Sequence, residues 1–156
     1  MLVLGRRDLE RLLTPTSVIA ALESAFRQYA EGSCRVPPRQ AVELPDDGRL
    51  LVMPAALFQS HTLGAKLVTV HGGNRERGLP TLHASYVLLD LETGAPLALM
   101  EGSFLTGIRT GAASALAARL LARPDSRNTA CFGAGGQAAF QLKCLATVLP
   151  LETVSV

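Results

Sequence analysis

The sequence predicts a mixed fold in two parts: an α+β part with a largely antiparallel sheet, followed by the incomplete start of a parallel α/β unit. Three observations predict it: an early amphipathic helix, several short strands separated by turn residues, and a glycine-rich turn between a strand and a helix near the end. The best boundary is Pro124, which follows a predicted helix, so we expect domains at 1–124 and 125–156.

The composition fits a globular protein and argues against other classes. Of 156 residues, 48% are hydrophobic and 18% charged, which suits a packed core. The net charge is only +2, without a basic stripe, so we expect no nucleic-acid partner. We also expect no membrane partner, because no apolar run reaches the roughly 18 residues of a span, and no signal peptide. Three cysteines without metal-ligand spacing predict reduced thiols in a cytoplasm and no metal site.

The first clear element is an amphipathic helix over 15–31. Thr14 can cap it, Pro15 suits its first position, and Gly32 is a natural C-terminal stop. Helical spacing predicts that its buried face consists of Val18, Leu22, Ala25, Phe26 and Tyr29.

The middle of the chain alternates between strand patterns and turn residues. Strands are predicted at 42–44, 50–53 (ending at Pro54), 63–70, 83–91 and 96–100. The turns fall at 46–48 and 91–94, and hairpins of this spacing favour an antiparallel sheet. The segment 71–78 is a polar, glycine-rich loop, which beside a cleft can act as a lid.

Two basic residues in this region have two interpretations each. Lys66 lies inside the apolar strand 63–70, where alternation puts it on one face with Gly64, Val68 and Val70. It either snorkels at a sheet edge or points into a cleft where its amine is a usable acid or base. Arg39 is either a solvated charge at a strand start or a guanidinium fork for a substrate carboxylate.

A small-residue helix is predicted over 112–121, and its alanines permit close packing against a neighbouring element. Arg109 and Thr110 then fall near its N-terminus, where free backbone N–H groups can bind an anion. The helix dipole disfavours an arginine there. Because broken local rules tend to mark functional sites, we interpret the pair as a candidate site.

The glycine-rich turn follows the pattern Gly133-x-Gly135-x-x-Ala138. A short apolar run at 129–132, which predicts a buried parallel strand, precedes it. A helix at 137–149 follows it, and a second strand begins at 153. This is the order of a Rossmann dinucleotide-binding unit, with the pyrophosphate on the helix N-terminus. A glycine-rich turn without a ligand is the alternative. The acidic residue that separates NAD from NADP is expected about 20 residues past the first glycines, at or beyond the last residue.

Taken together, six motifs in order resemble the ornithine cyclodeaminase/mu-crystallin family. They are Pro38-Arg39, Met53-Pro54, Ala65-Lys66-Leu67-Val68, Gly78-Leu79-Pro80-Thr81, Gly107-Ile108-Arg109-Thr110-Gly111-Ala112 and Gly133-Ala134-Gly135-Gly136-Gln137-Ala138.

The resemblance implies a substrate and dimerisation domain, hence a homodimer, followed by a domain that binds NAD or NADP. It implies that Arg39 and Arg109 grip the carboxylate of an amino acid, and that Lys66 touches the carboxylate or transfers a proton. The positions that match the family's dinucleotide contacts are Thr81, Arg109, Thr110, Gly136 and Gln137, beside the motif glycines Gly133 and Gly135.

The resemblance also implies a reaction. In the cyclodeaminases, bound NAD removes hydride from the α-carbon of ornithine, the side-chain amine closes on that carbon, ammonia leaves, and returning hydride yields proline. A ketimine reductase, an amino-acid dehydrogenase, and a non-catalytic mu-crystallin-like binding or dimerisation module remain as alternatives.

Family members continue well beyond position 156, and the cyclodeaminases' catalytic acid lies in that later portion. We therefore expect residues 1–156 alone to bind dinucleotide poorly, to lack activity, and to associate through an open sheet edge and exposed apolar surface.

Overall fold

The structure is a computed structural model that describes residues 1–156. Its strands are β1 (Leu2–Leu4), β2 (Cys34–Arg35), β3 (Gln40–Glu43), β4 (Arg49–Leu57), β5 (Thr62–Val70), β6 (Leu82–Asp90), β7 (Pro96–Glu101), β8 (Asn128–Ala130) and β9 (Thr153–Ser155). Its helices are α1 (Arg6–Leu12), α2 (Pro15–Ala30), α3 (Gly102–Leu121) and α4 (Ala138–Leu145), with a 3₁₀ turn at Gly72–Arg75.

The chain divides into two compact units. The first consists of Met1–Leu9 and Arg27–Phe104, and the second of Glu10–Phe26 and Leu105–Val156. None of the helices is long and apolar enough to cross a membrane.

The first unit is built on a seven-stranded sheet. Its strand order is β1-β7-β6-β5-β4-β2, and β3 also pairs with β4. All pairs are antiparallel except β1 with β7. The predicted antiparallel sheet is therefore confirmed, whereas the short strands β1 and β2 were not predicted.

Strand β4 corrects one prediction, because it does not end at Pro54 but continues to Leu57. On one side β3 pairs with 49–52 and β2 with 56–57, so that Pro54 faces the gap between them. On its other side Pro54 pairs with Ala65. A proline lacks the N–H of a ladder hydrogen bond, so a strand accepts it where no neighbour needs that donor.

The turn between β3 and β4 lies where the sequence predicted it. Asp46 and Asp47 have φ of 56° and 55°, and the N–H of Gly48 donates to the carbonyl of Pro45 at 3.1 Å. Two consecutive central residues with positive φ are typical of the type I′ turn, whose twist matches an antiparallel hairpin.

The two faces of the sheet differ in burial. The inner face carries the four buried sheet residues, Cys34, Gly64, Val68 and Ala98. The opposite face is mostly apolar, with Thr69 and Ser85 as polar positions, and none of its central side chains is buried. We call it the outer face, and its apolar residues are Leu50, Val52, Leu63, Ala65, Leu67, Val87, Leu97 and Leu99.

Helix α2 has the predicted ends. At its start the N–H of Ser17 donates to Thr14 Oγ1 at 3.2 Å. At its end Gly32 has φ +70°, and the N–H groups of Gly32 and Ser33 donate to the carbonyls of Tyr29 and Gln28. These two bonds form a Schellman motif, which explains why a glycine ends the helix.

The predicted buried face of α2 is partly wrong. Val18 is buried together with Ile19, but Phe26 and Tyr29 are 54% and 64% exposed. Gln28 is buried instead, at 4% exposure. Apolar residues at helical spacing continue beyond the part of the helix that is buried. For this reason the spacing wrongly predicted that Phe26 and Tyr29 lie in the core.

Helix α3 begins ten residues earlier than predicted, at Gly102. Glu101 caps it: the N–H of Ser103 donates to Oε1 at 2.6 Å and that of Phe104 to Oε2 at 2.8 Å. A carboxylate at this position satisfies donors that a helix start leaves free. The glycines of this segment suggested a loop, but Gly107 and Gly111 lie inside the helix.

In the second unit α3 packs tightly on α4, and two glycines of α3 make this possible. A Cβ atom built on Gly107 would clash with the ring of Phe140, and one on Gly111 would clash with the Phe140 backbone. Ala112 and Ala115 of the same helix are completely buried. The expectation that small residues let this helix approach a neighbour closely is confirmed.

The end of the chain forms a β-α-β unit, β8-α4-β9, in which the two strands are parallel. The strand and the helix are shorter than the predicted 129–132 and 137–149. The expected burial of the strand is also wrong: β8 is largely exposed, with β9 as its neighbour in a two-stranded sheet.

Candidate functional site

A row of side chains crosses the inner face of the sheet at Lys66. Lys66 of β5 pairs with Met53 of β4 and with Tyr86 of β6, and Tyr86 pairs with Met100 of β7. Residues directly opposite each other in a sheet share a face, with Cβ atoms about 5 Å apart. We call Met53, Lys66, Tyr86 and Met100 the Lys66 row.

Arg39 lies at one end of this row. It directly precedes Gln40, which pairs with Val52, and the same register puts Arg39 level with Met53. Two strand spacings, roughly 10 Å, then separate the backbones of Arg39 and Lys66. Side chains as long as these can close that distance onto one small anion. Arg39 is exposed and Lys66 half-buried.

Lys66 does not lie at a sheet edge. Strand β5 has β4 on one side and β6 on the other along its whole length. On its own strand Lys66 lies between the buried residues Gly64 and Val68 of the same face. The edge interpretation is therefore wrong, and Lys66 lies in the middle of the buried face.

Tyr86 is a neighbour of Lys66 that the sequence analysis missed. Its ring lies over Gly64: a Cβ atom built there would be 3.0 Å from both Cε1 and Oη of Tyr86. Burial raises the pKa of Tyr86 above its ordinary value of 10.0. The phenol is therefore neutral at pH 7 and able to donate a hydrogen bond.

The signal for Tyr86 was weak. An aromatic residue in an apolar strand is normal for a sheet, and only the register between β5 and β6 puts it beside Lys66. That register spans the long connection 71–81, which no turn motif fixes from sequence.

Thr81 lies at the end of that connection, directly before β6. Its carbonyl accepts from the N–H of His71 at 2.9 Å, and Asn74 Nδ2 donates to the carbonyl of Pro80 at 2.9 Å. These two hydrogen bonds join the beginning of the connection 71–81 to its end. Thr81 lies past the level of Val70, which pairs with Leu82, so at least four residues of strand separate its level from that of Lys66.

Arg109 and Thr110 belong to the second unit. The prediction that they lie near a helix N-terminus is wrong. They are the eighth and ninth residues of α3, not residues of its N-terminus. Their backbone N–H groups are within the helix, so no free N-terminal donors bind an anion there. Arg109 is exposed, and the Thr110 hydroxyl donates to the carbonyl of Thr106 at 2.6 Å. What Arg109 offers a ligand is its guanidinium alone.

The glycine-rich turn connects β8 to α4. Gly133 has φ +92°, which the tight turn requires. A Cβ atom on Gly135 or Gly136 would meet no protein atom within 4 Å. Neither has a positive φ, so the chain itself does not require glycine at these two positions. Gln137 directly precedes the first residue of α4. Open space above glycines at a helix start fits a phosphate group.

No group of three or more histidine, cysteine, aspartate and glutamate side chains in the protein is placed to hold a metal ion.

Comparison with known proteins gives matches that extend over nearly the whole of this chain. Alanine dehydrogenase of Archaeoglobus fulgidus is 40% identical over 153 residues, covering 98% of this chain and 47% of the relative. L-lysine cyclodeaminase of Streptomyces rapamycinicus is 34% identical, covering 97% of this chain and 47% of the relative. The chain thus spans about half the length of the relatives it matches.

Solved structures give the same result. The Δ1-pyrroline-2-carboxylate reductase of Thermococcus litoralis, in complex with NADH and L-proline, superposes with a TM-score of 0.93 at 44% identity. An archaeal alanine dehydrogenase dimer with bound NAD superposes with a TM-score of 0.92 at 40% identity. Both cover 99% of this chain, and 48% and 47% of the respective structures.

The family model for the ornithine cyclodeaminase/mu-crystallin family matches residues 1–156. The resemblance carried by the six motifs is confirmed, and this chain belongs to the ornithine cyclodeaminase/mu-crystallin family.

Proposed function

We propose that this protein is part of an NAD(H)-dependent enzyme that exchanges hydride with the α-carbon of an α-amino acid or its imine. The observation that carries the proposal is the register of the sheet: Lys66 pairs with Met53, and Arg39 directly precedes Gln40, which pairs with Val52. From this register we infer that Arg39 and Lys66 can reach one carboxylate. The relatives support it, because they include an alanine dehydrogenase and a pyrroline-2-carboxylate reductase.

In this proposal residues 1–124 are the substrate and dimerisation domain and 125–156 begin a Rossmann domain in the cytoplasm. The glycine turn would hold the cofactor at Gly133, Gly135, Gly136 and Gln137, with Thr81, Arg109 and Thr110 as further contacts. NAD is favoured over NADP by the two NAD(H) complexes among the similar structures. When bound, NAD(H) supplies an acceptor or donor of hydride.

The chain's own residues bind and orient the substrate. Arg39 and Arg109 bind its carboxylate with their guanidinium groups, which suit a carboxylate in two-point contact. Lys66, half-buried on the inner face, contacts the carboxylate or moves the proton that the nitrogen loses when an amine becomes an imine. Hydride leaves the α-carbon with two electrons, and the nitrogen proton leaves separately, so the amino acid becomes the imine.

Ornithine cyclodeaminase activity is the second candidate. It uses the same hydride step, followed by ring closure, loss of ammonia and return of the hydride. The match to an L-lysine cyclodeaminase favours it. Incubating the full-length protein with ornithine and a trace of NAD separates the candidates: proline and ammonia indicate the cyclodeaminase, and net NADH a dehydrogenase.

A homodimer through the first domain is also proposed. The outer face is mostly apolar, and its side chains Leu67 and Leu97 are 38% and 44% exposed in the isolated chain. Apolar faces of this size usually lie in an interface. A related alanine dehydrogenase is a dimer.

The role of Lys66 in binding the substrate carboxylate is tested in the full-length protein with Lys66→Ala. The matched control is Lys143→Ala, because Lys143 is the other lysine and is exposed on α4. We expect kcat/KM to fall by about 100-fold or more for Lys66→Ala, since a charged substrate contact is lost, with NADH affinity unchanged in both variants. Equal turnover by both would contradict the proposal. NADH binding without turnover of any amino acid or imine would favour the mu-crystallin-like binding module.

A further inference from the structure

The hydroxyl group of Tyr86 has no hydrogen-bond partner within the chain. Burial is the sole cause that raises its pKa, and no hydrogen bond contributes. The sealed polar side-chain atoms without a partner are His71 Nδ1 and Thr106 Oγ1. The Tyr86 oxygen is not one of these, so it keeps surface that a ligand can reach. A polar group in this situation is completed by water or by a ligand.

Gly64 determines where this hydroxyl lies. A Cβ atom at residue 64 would be 3.0 Å from Tyr86 Oη and 2.7 Å from the carbonyl oxygen of Val87. The tyrosine ring therefore occupies the space that any larger residue at position 64 would need. Gly64 and Lys66 lie on the same face of β5, two residues and about 7 Å apart. A lysine side chain together with one bound carboxylate can span that distance.

We propose that Tyr86 is a substrate-binding residue whose hydroxyl donates a hydrogen bond to the carboxylate of the amino or imino acid. This inference rests on the proposed function and adds a neutral contact from β6 to those of Arg39 and Lys66. A carboxylate has two oxygens and about four lone pairs, so it accepts a further donor. Hydrogen bonds from a hydroxyl to an ionised acceptor are short and strong.

The first test asks whether the hydroxyl stabilises the fold. Tyr86→Phe in the full-length protein removes the hydroxyl and keeps the ring over Gly64. Tyr29→Phe is the matched control, because Tyr29 is the other tyrosine and is 64% exposed on α2. We expect both variants to keep the wild-type melting temperature, since a hydroxyl without a protein partner contributes no hydrogen bond to the fold. A lower melting temperature for Tyr86→Phe alone would show a structural role and would overturn the inference.

The second test measures the contact with the substrate by steady-state kinetics with NAD and L-proline or L-alanine. We expect Tyr86→Phe to raise the KM of the amino acid about tenfold or more, the usual effect of losing a hydrogen bond to a charged group. The value of kcat should stay the same, because the carboxylate is bound equally in the ground state and the transition state. NADH affinity should also be unchanged, and Tyr29→Phe should match the wild type. A wild-type KM for Tyr86→Phe would overturn the inference.

Propionate identifies the part of the substrate that the hydroxyl contacts, because it has the carboxylate and lacks the nitrogen. Its inhibition constant in competition with the amino acid should rise in Tyr86→Phe by the same factor as KM. If KM rises while the inhibition constant of propionate stays the same, the hydroxyl contacts another part of the substrate, and the assignment to the carboxylate is overturned.

These results separate two failures. If the wild type turns over no amino acid and no imine, the proposed function fails and the inference fails with it. If the wild type is active and Tyr86→Phe binds substrate and propionate equally well, the proposed function stands and the inference alone is overturned.

Discussion

At the scale of single residues, Glu101 shows how one side chain sets where a helix begins. Its two carboxylate oxygens accept the N–H groups of Ser103 and Phe104. Burial is the largest influence on its pKa and raises it, but the hydrogen bonds from Phe104 and Ser103, together with the charge of Arg6, outweigh burial. The pKa of Glu101 therefore lies below its ordinary value of 4.5.

Replacing this cap should destabilise the protein. We expect Glu101→Ala to lower the free energy of unfolding by about 1 kcal/mol, the usual cost of losing an N-cap, measured by urea denaturation at pH 7. Glu92→Ala is the control, because Glu92 is an exposed turn residue whose backbone N–H remains available to Asp90. An equal, small effect of both substitutions would show that the carboxylate of Glu101 does not stabilise the start of α3.

The same cap predicts a dependence on pH. A carboxyl whose pKa is lower in the folded state than in the unfolded state stabilises the fold above the unfolded value, here about 4.5. Its contribution is lost as pH falls through the lower, folded pKa. We expect the stability difference between the wild type and Glu101→Ala to be constant from pH 7 to 5 and to shrink below pH 4.5. A difference that grows on acidification would contradict this.

Gly136 carries a prediction about ligand binding. A Cβ atom at this position meets no protein atom, and the residue has no positive φ. We expect Gly136→Ala to leave the melting temperature of the full-length protein unchanged and to weaken NADH binding about tenfold, because the methyl group takes space meant for a phosphate. Calorimetric titration with NADH is the measurement, and unchanged affinity would exclude contact between Gly136 and the cofactor.

At the scale of elements, close packing of α3 on α4 explains why a helix contains two glycines. Alanine normally stabilises a helix by about 1 kcal/mol relative to glycine. At Gly111 the added methyl group would clash with backbone atoms of Phe140 and lie 3.1 Å from Cys144 Sγ. Backbone cannot move aside as a flexible side chain can, so packing outweighs propensity.

We therefore expect Gly111→Ala to destabilise the protein by about 1–3 kcal/mol, as overpacking does. Ala117→Gly in the same helix is the control, because Ala117 is exposed and its change isolates propensity. Denaturation followed by circular dichroism is the measurement. A Gly111→Ala variant that is more stable than the wild type would contradict the packing of α3 on α4.

At the scale of the whole molecule, the exposed apolar side chains of the outer face predict that two copies of the protein associate through it. We expect Leu67→Glu in the full-length protein to convert a dimer to a monomer, because a carboxylate would be desolvated inside an apolar interface. Leu120→Glu is the control: Leu120 is 67% exposed on α3 and is not a residue of the outer face. Analytical ultracentrifugation distinguishes the two. A Leu67→Glu protein that stays dimeric would show that the interface lies elsewhere.

Features of the fold and the site that depend on residues close together in the sequence could be predicted from it. Features that depend on contacts between distant elements could not. The ends of α2 and the turn at Asp46-Asp47 follow from local chemistry, and both were predicted. The start of α3 was not, because glycines usually break helices and only the contact with α4 explains them. Lys66 was recognised as a candidate from its strand, but Tyr86 became its neighbour only through the pairing of β5 with β6.

In the proposed function, Arg39 and Lys66 hold an amino-acid carboxylate while hydride passes to or from its α-carbon. The most direct test supplies the full-length protein with NADH deuterated at both C4 positions, and with Δ1-pyrroline-2-carboxylate or with pyruvate and ammonia. Mass spectrometry of the product should find L-proline or L-alanine carrying deuterium on the α-carbon, and Lys66→Ala should abolish the labelling without weakening NADH binding. An unlabelled product, or full labelling by Lys66→Ala, would contradict this function.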